Sequence, residues 1–188
     1  MLRFFAFLAG LSLSGTTAKA VEFNVVAGLS QYLLLGGGNA EIDIVTENWV
    51  FEYSHGWGLD FARNDRIAQT KAERDQDLDV YMPYTTGGGV GYRLTKALNA
   101  RLELKEHDQI VENFKTGEKI RYLVRTVGVG FYYEWQPFGK GLLIVPNIRY
   151  WPTVSTSLDE DQYVWSNGEI HEAHPQGLII NCSVGWKI

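Results

Sequence analysis

Four histidines, one cysteine and twenty-two carboxylates are the side chains of this 188-residue sequence with the most chemistry to offer. A hydrolase needs a nucleophile, a base within hydrogen-bond reach and a carboxylate to orient that base. Ser54 and His55 are adjacent, so on a strand they face opposite sides, and no His-x-Ser pair, which would share a face, occurs anywhere. His107 has Glu103 and Asp108 nearby in sequence but no serine. His171-Glu172-Ala173-His174, close to Asp159, Glu160, Asp161 and Glu169, offers metal-ligand types. Histidines three apart suit a helix turn, whereas this stretch reads as a polar loop without fixed geometry, so a solvated acidic loop is the stronger reading. Gly36-Gly37-Gly38 lacks the Lys-Ser/Thr and the following helix of a phosphate loop. No catalytic constellation assembles, and no cofactor or metal site is expected.

Composition narrows the classes further. Cys182 alone excludes a disulfide scaffold and a cysteine zinc site. A formal charge of −5 gives no basic footprint, so no nucleic-acid partner is expected. Aromatics at 13% and plentiful β-branched residues argue against disorder. Mean hydropathy of −0.15 argues against a helical membrane bundle. Residues 1–20 read as a secretory signal: Arg3 is the positive start, Phe4 to Leu13 the apolar run, and Ala18-Lys19-Ala20 the small-x-small cleavage site. One domain, 21–188, is expected after cleavage.

That domain is marked by period-two hydrophobicity with turn punctuation. Leu178, Ile180, Cys182, Val184, Trp186 and Ile188 point one way, while Asn181, Ser183, Gly185 and Lys187 point the other. Ala100, Leu102 and Leu104 likewise oppose Arg101, Glu103 and Lys105. Val127, Val129, Phe131 and Tyr133 oppose Gly128 and Gly130; Leu59 and Phe61 oppose Asp60. The pattern predicts about eight strands, over 21–35, 41–55, 58–66, 78–94, 98–111, 119–135, 141–155 and 177–188. Short connections near Ser54–Gly58, Thr95–Leu98 and Gln136–Lys140 alternate with long polar ones near Asn64–Asp77, Glu112–Glu118 and Thr156–Gln176. Ala68 to Asp75 could form a helical turn. Ile42 and Ile44 are out of phase with Trp49, Phe51 and Tyr53, which predicts a bulge or a later start in the second strand. Arg121 and Arg125 share the phase of Phe131, so either they lie above the apolar zone or a bulge resets the register.

Alternation alone does not say which face is wet. Charges of both signs recur opposite the apolar face: Glu52, Asp60, Arg93, Arg101, Glu103, Lys105, Arg149 and Lys187. Glycines share that face, as a narrow lumen filled by side chains requires. Aromatics near the strand ends (Trp49, Tyr53, Trp57, Tyr92, Tyr133, Tyr150, Trp186) suit interfacial girdles. Together these predict an all-β, eight-stranded antiparallel up-and-down transmembrane β-barrel, its apolar face toward lipid and its charges paired inside.

Pro83-Tyr84 through Gly87-Gly88-Gly89-Val90-Gly91-Tyr92-Arg93-Leu94, with Asn99-Ala100-Arg101-Leu102-Glu103-Leu104 after a short turn, resembles the central hairpin of small outer-membrane barrel domains of the OmpA, OmpX and OmpW type. Val184-Gly185-Trp186-Lys187-Ile188 resembles the C-terminal signal of such proteins for barrel assembly, with Ile188 where Phe is usual. The resemblance implies a monomer in the cell outer membrane, with both termini periplasmic and no particular activity. Its implied partners are outer-membrane lipid, lipopolysaccharide and the barrel-assembly machinery. A structural or surface-interaction role with long acidic outer loops is the expected function. Divalent ions could bridge those loop carboxylates to lipopolysaccharide phosphates. A narrow solute channel, or a lipid A-modifying enzyme, is the alternative.

Overall fold

The computed structural model describes residues 21–139 and 141–188; the expected signal at 1–20 lies outside them. The strands β1 (Glu22–Gly28), β2 (Gly38–Val45), β3 (Trp49–Asp60), β4 (Leu78–Arg93), β5 (Leu98–Asn113), β6 (Glu118–Tyr133) and β7 (Leu142–Trp151) run antiparallel in chain order. β8 (Thr153–Thr156) continues β7 along β6, and β9 (Gln162–Val164) and β10 (Ile170–Glu172) form a separate hairpin above. β11 (Gly177–Lys187) pairs with β7 on one side and β1 on the other, which closes the sheet into an eight-stranded barrel. Closure removes the sheet edges whose unpaired N–H and C=O groups lipid could not solvate.

The outward face carries the apolar side chains. Phe51, Val90, Leu102, Leu104, Val129, Phe131, Ile148 and Ile180 are all exposed on the barrel's outside. Trp49 and Tyr92 meet edge to face at 5.3 Å near the end that carries both termini. Trp57 stands eight residues further along β3, about 26 Å away at the usual rise per residue, enough for a tilted strand to cross an apolar band. The expected lipid-facing assignment of this face therefore holds.

Three expected boundaries differ, each for a local reason. The predicted first strand, 21–35, ends at Gly28, and Leu29–Leu35 forms a helix, α1, capped by Gly36 at φ +69°. A short apolar run such as Leu-Ser-Gln-Tyr-Leu-Leu-Leu is compatible with either structure. The predicted second strand, 41–55, is two strands. Thr46 Oγ1 accepts from Trp49 N at 3.0 Å to build a tight turn there, and the predicted turn at Ser54–Gly58 lies within β3. The phase break between Ile44 and Trp49 is that turn, not a bulge. The predicted long connection at Glu112–Glu118 is a four-residue turn held by Asn113 Oδ1, which accepts from Lys115 and Thr116 N–H.

β5 and β6 pair without any register shift, so Arg121 and Arg125 remain on the outer face, reaching Asp108 and Glu106 near the loop end. A genuine change of phase sits elsewhere. Gly58 has φ +63°, and opposite it the β4–β5 register shifts between Tyr81 and Tyr84. This swap turns Leu59 and Phe61 inward and Asp60 outward, the reverse of the simple alternation. The lumen is therefore layered, polar toward the terminus end and apolar toward the loop end, where Leu59, Phe61, Val80, Met82, Tyr122 and Trp165 pack.

Glycines let the interior be this full. A Cβ at Gly128 would lie 2.1 Å from Trp151 Cδ1 and 2.4 Å from the Tyr150 carbonyl oxygen. Gly128→Ala is expected to destabilise the barrel by about 1–3 kcal/mol through overpacking, read as a lower urea midpoint in lipid vesicles.

Candidate functional site

The polar layer is organised by one guanidinium. Arg101, on the inward face of β5, points Nη1 at Glu41 Oε1 (2.8 Å), Asp43 Oδ1 (2.9 Å) and Glu52 Oε2 (2.9 Å). Its Nη2 reaches Asp43 Oδ2 at 3.2 Å, its Nε donates to Asn99 Oδ1 at 2.8 Å, and its face stacks 3.9 Å from the Tyr132 ring. Lys105, two inward positions along β5, donates to Glu52 and Ser54 and lies 3.8 Å from Glu103. The Tyr132 hydroxyl donates to Glu103. The three carboxylates lie within 4.8 Å of one another, a spacing that could hold a metal ion, but the cation they surround is Arg101.

Of the residues expected inside, Glu52, Arg101, Glu103 and Lys105 come together, and Arg149 stands nearby over Trp151 at 4.4 Å. Asp60 and Arg93 do not join them. Asp60 is turned out by Gly58 and caps Arg63 N–H at 3.1 Å near the loop end. Arg93 sits at the opposite rim, where it donates to the carbonyl of Thr46 at 3.1 Å and to that of Lys96, stapling two turns. Lys187 pairs with Glu22 at 2.6 Å, also at that rim. Glu41 and Asp43 are the network members the sequence reading missed. Their signal was the alternation Glu41-Ile42-Asp43-Ile44, which becomes legible once a turn is placed at Thr46. Val184 and Trp186 lie among the last residues of β11 at the terminus end and Ile188 follows it, with Trp186 and Ile188 on the outer surface.

Above the apolar layer the loops form an ordered cap, not the fluid polar loop expected. α2 (Asp65–Ala68) is followed by α3 (Lys71–Asp75), which begins with a capping box between Thr70 and Glu73. Glu73 then accepts from His174 Nδ1 at 2.7 Å, joining this loop to the one before β11. His171 Nε2 meets the Tyr122 hydroxyl at 2.9 Å, and the same hydroxyl accepts from His174 N–H. Both histidines are buried, so they do not gather with Asp159, Glu160, Asp161 and Glu169 as metal ligands. His107 is held by Thr85 at Nδ1 (2.8 Å) and Thr126 at Nε2 (3.1 Å), without a carboxylate to orient it for catalysis. A cavity of about 370 Å³ separates the ionic layer from the cap.

Two outcomes test this geometry. Arg101→Met leaves three carboxylates facing each other in a buried site and is expected to cost about 3–5 kcal/mol. Lys119→Ala, at the exposed pair with Glu112 (3.1 Å), should cost less than about 1 kcal/mol by the same urea titration. In the cap, burial depresses the His171 pKa to about 4, and His174 adds to the effect while Glu73 opposes it. Burial works to raise the Glu73 pKa, but hydrogen bonds from His174 and Thr70 outweigh it and hold it below its ordinary value. An opened cap binds a proton at His171 below about pH 6.5 while the closed cap does not, so acid favours opening until about pH 4. Glu73 contributes stability that is present above its ordinary pKa and is lost as the pH falls through its depressed one. Amide protection factors in β9 and β10, taken relative to the intrinsic exchange rate at each pH, should therefore fall between pH 7 and pH 5, and His171→Phe should flatten that change.

No protein-family model matches the sequence, and no curated protein matches it. Among solved structures, the chain is similar to Ail, the attachment invasion locus protein of Yersinia pestis, at 13% identity and a TM-score of 0.50, over 89% of this chain and 99% of that one. A major outer membrane protein from Thermus thermophilus matches at 13% identity and a TM-score of 0.45, over 90% of this chain and 100% of that one. Neisserial surface protein A matches at 12% identity and a TM-score of 0.43, over 89% of this chain and 94% of that one. The likeness to Ail is one of fold, and the closed antiparallel sheet described above supplies the rest: this chain has the architecture of a small eight-stranded outer-membrane β-barrel.

Proposed function

We propose that this protein is a monomeric resident of the outer membrane of a Gram-negative-type cell, acting in envelope structure or surface interaction rather than as an open pore. The observation that carries the reading is the continuous outward band of aliphatic and aromatic side chains around a closed sheet. A soluble barrel would hide that face, and a patch of this extent exposed to water would drive aggregation. The termini and the turns after β2, β4 and β6 lie together toward the periplasm, and the capped end faces outward. The terminal Val184, Trp186 and Ile188 serve the barrel-assembly machinery, while outer-membrane lipid and lipopolysaccharide contact the band and the loops.

A barrel of eight strands has room for its side chains and little more. Here the Arg101 and Lys105 network fills the polar layer, which favours a plug over the narrow channel. No histidine among the described residues combines a carboxylate partner with a nucleophile partner, which favours a non-enzymatic role over lipid A modification.

The refolded chain in detergent should migrate differently before and after boiling and should fractionate with outer membranes. Planar bilayers containing it should show no unitary conductance. Migration indifferent to heat, together with solubility without detergent, would refute the membrane reading; steady conductance would favour the channel. New lipid A species in the mass spectrum after expression would favour the enzyme.

A further inference from the structure

The cavity between the ionic layer and the cap has an unusual imbalance of polar atoms. Lys105 and His107 on its floor have partners on their nitrogens. Arg149 and Trp151 beside them do not: Arg149 Nε and Nη2 and Trp151 Nε1 are buried with no hydrogen-bond partner within the protein, and so is Gln176 Nε2 at the rim. Every buried side-chain atom without a partner among the described lining residues is thus an N–H donor. A buried donor without an acceptor costs about 1–3 kcal/mol, more when charged, and arginine does not shed its proton to escape that cost. Nε and Nη2 together form the edge of the guanidinium that grips a carboxylate with two parallel bonds.

The opposite side of the cavity is apolar and opens sideways. β1 stops at Gly28, opposite Ser183, so β11 pairs only with β7 over Gly177–Cys182. α1 lies across this interruption in the wall, contributing Leu34 and Leu35 to the cavity while Tyr32 and Leu33 face outward. Leu178 and Ile180 point out of the barrel, 64% and 72% exposed, yet they also line the cavity. The cavity therefore reaches round the free edge of β11 to the lipid-facing surface. Leu59, Phe61 and Met82 furnish its inner apolar wall.

We infer that this cavity binds a single-chain anionic amphiphile of the fatty-acid class, its carboxylate on Arg149 and Trp151 and its acyl chain leading past Leu35 and Ile180 toward the bilayer beneath α1. Unpartnered donors on the floor, an apolar wall and a sideways opening are what such a molecule requires, and the volume lies within the range of small-molecule sites. The inference rests on the membrane reading above, so heat-dependent migration of the same samples separates a failure of that reading from a failure of this one.

The test uses the full chain refolded in an uncharged maltoside detergent, with parinaric acid as a fluorescent fatty acid excited by energy transfer from tryptophan. Saturable binding is expected, at least tenfold tighter than for the corresponding uncharged alcohol. Arg149→Gln should bring the acid down to the affinity of the alcohol, and Met82→Trp, which fills the apolar wall away from Arg149, should abolish binding of both. Equal affinities for acid and alcohol would overturn the inference. Unchanged acid binding by folded Arg149→Gln would also do so, and would assign Arg149 to the ionic layer beside Glu103. Displacement of the acid by millimolar inorganic phosphate, with no loss in Met82→Trp, would make the site one for a free anion and not an amphiphile.

Discussion

A sheet immersed in hydrocarbon on its outer side has nowhere but its own edges to send its backbone hydrogen bonds, and that constraint explains most of this molecule. Pairing β1 with β11 satisfies it by closing the cylinder. Closure then fixes the destination of the polar side chains within the apolar band: with the outer face there committed to aliphatic and aromatic groups, charge must turn inward, into a space too narrow for bulk water. Arg101 makes that tolerable, since three carboxylates on β2 and β3 share one delocalised cation. Four of the seven charges gathered in this layer are acidic (Glu41, Asp43, Glu52, Glu103) and three basic (Arg101, Lys105, Arg149). Near-neutrality comes from interleaving them.

The loop end obeys a different rule. At Gly58 and at the irregularity after Tyr81 the strands change which face looks in, and the lumen becomes apolar. That layer packs against Trp165 and Tyr122 and gives the long loops something to sit on. The cap is thus a small core of its own, cross-tied by Glu73 and His174, with the histidines kept neutral or paired instead of solvated. Between two well-packed layers of opposite polarity the unfilled space is amphipathic by construction, and the interruption of the wall at Gly28 lets it communicate with the surroundings.

Several features were legible without coordinates because they depend on period alone. Strands β5, β6, β7 and β11 carry unbroken alternation, and Arg101, Glu103 and Lys105 declare their face by facing away from Leu102 and Leu104. Asp60, Glu41 and Asp43 were misjudged because a turn and a positive-φ glycine reset the count. Alternation carries information only between resets. α1 was read as strand because seven mostly apolar residues have no period to distinguish the two. His171 and His174 looked like solvated loop residues because their partners, Tyr122 and Glu73, lie about 50 and 100 positions away.

By itself the sequence determined that the chain makes a two-faced antiparallel sheet, one face apolar and the other charged, since side-chain alternation is a local property of extended backbone. Only the tertiary structure decided which charges meet, where the lumen turns apolar, how the wall opens beside α1 and which buried donors lack acceptors. Those outcomes depend on the stagger of eight strands around a closed cylinder, a quantity that no single stretch of chain encodes.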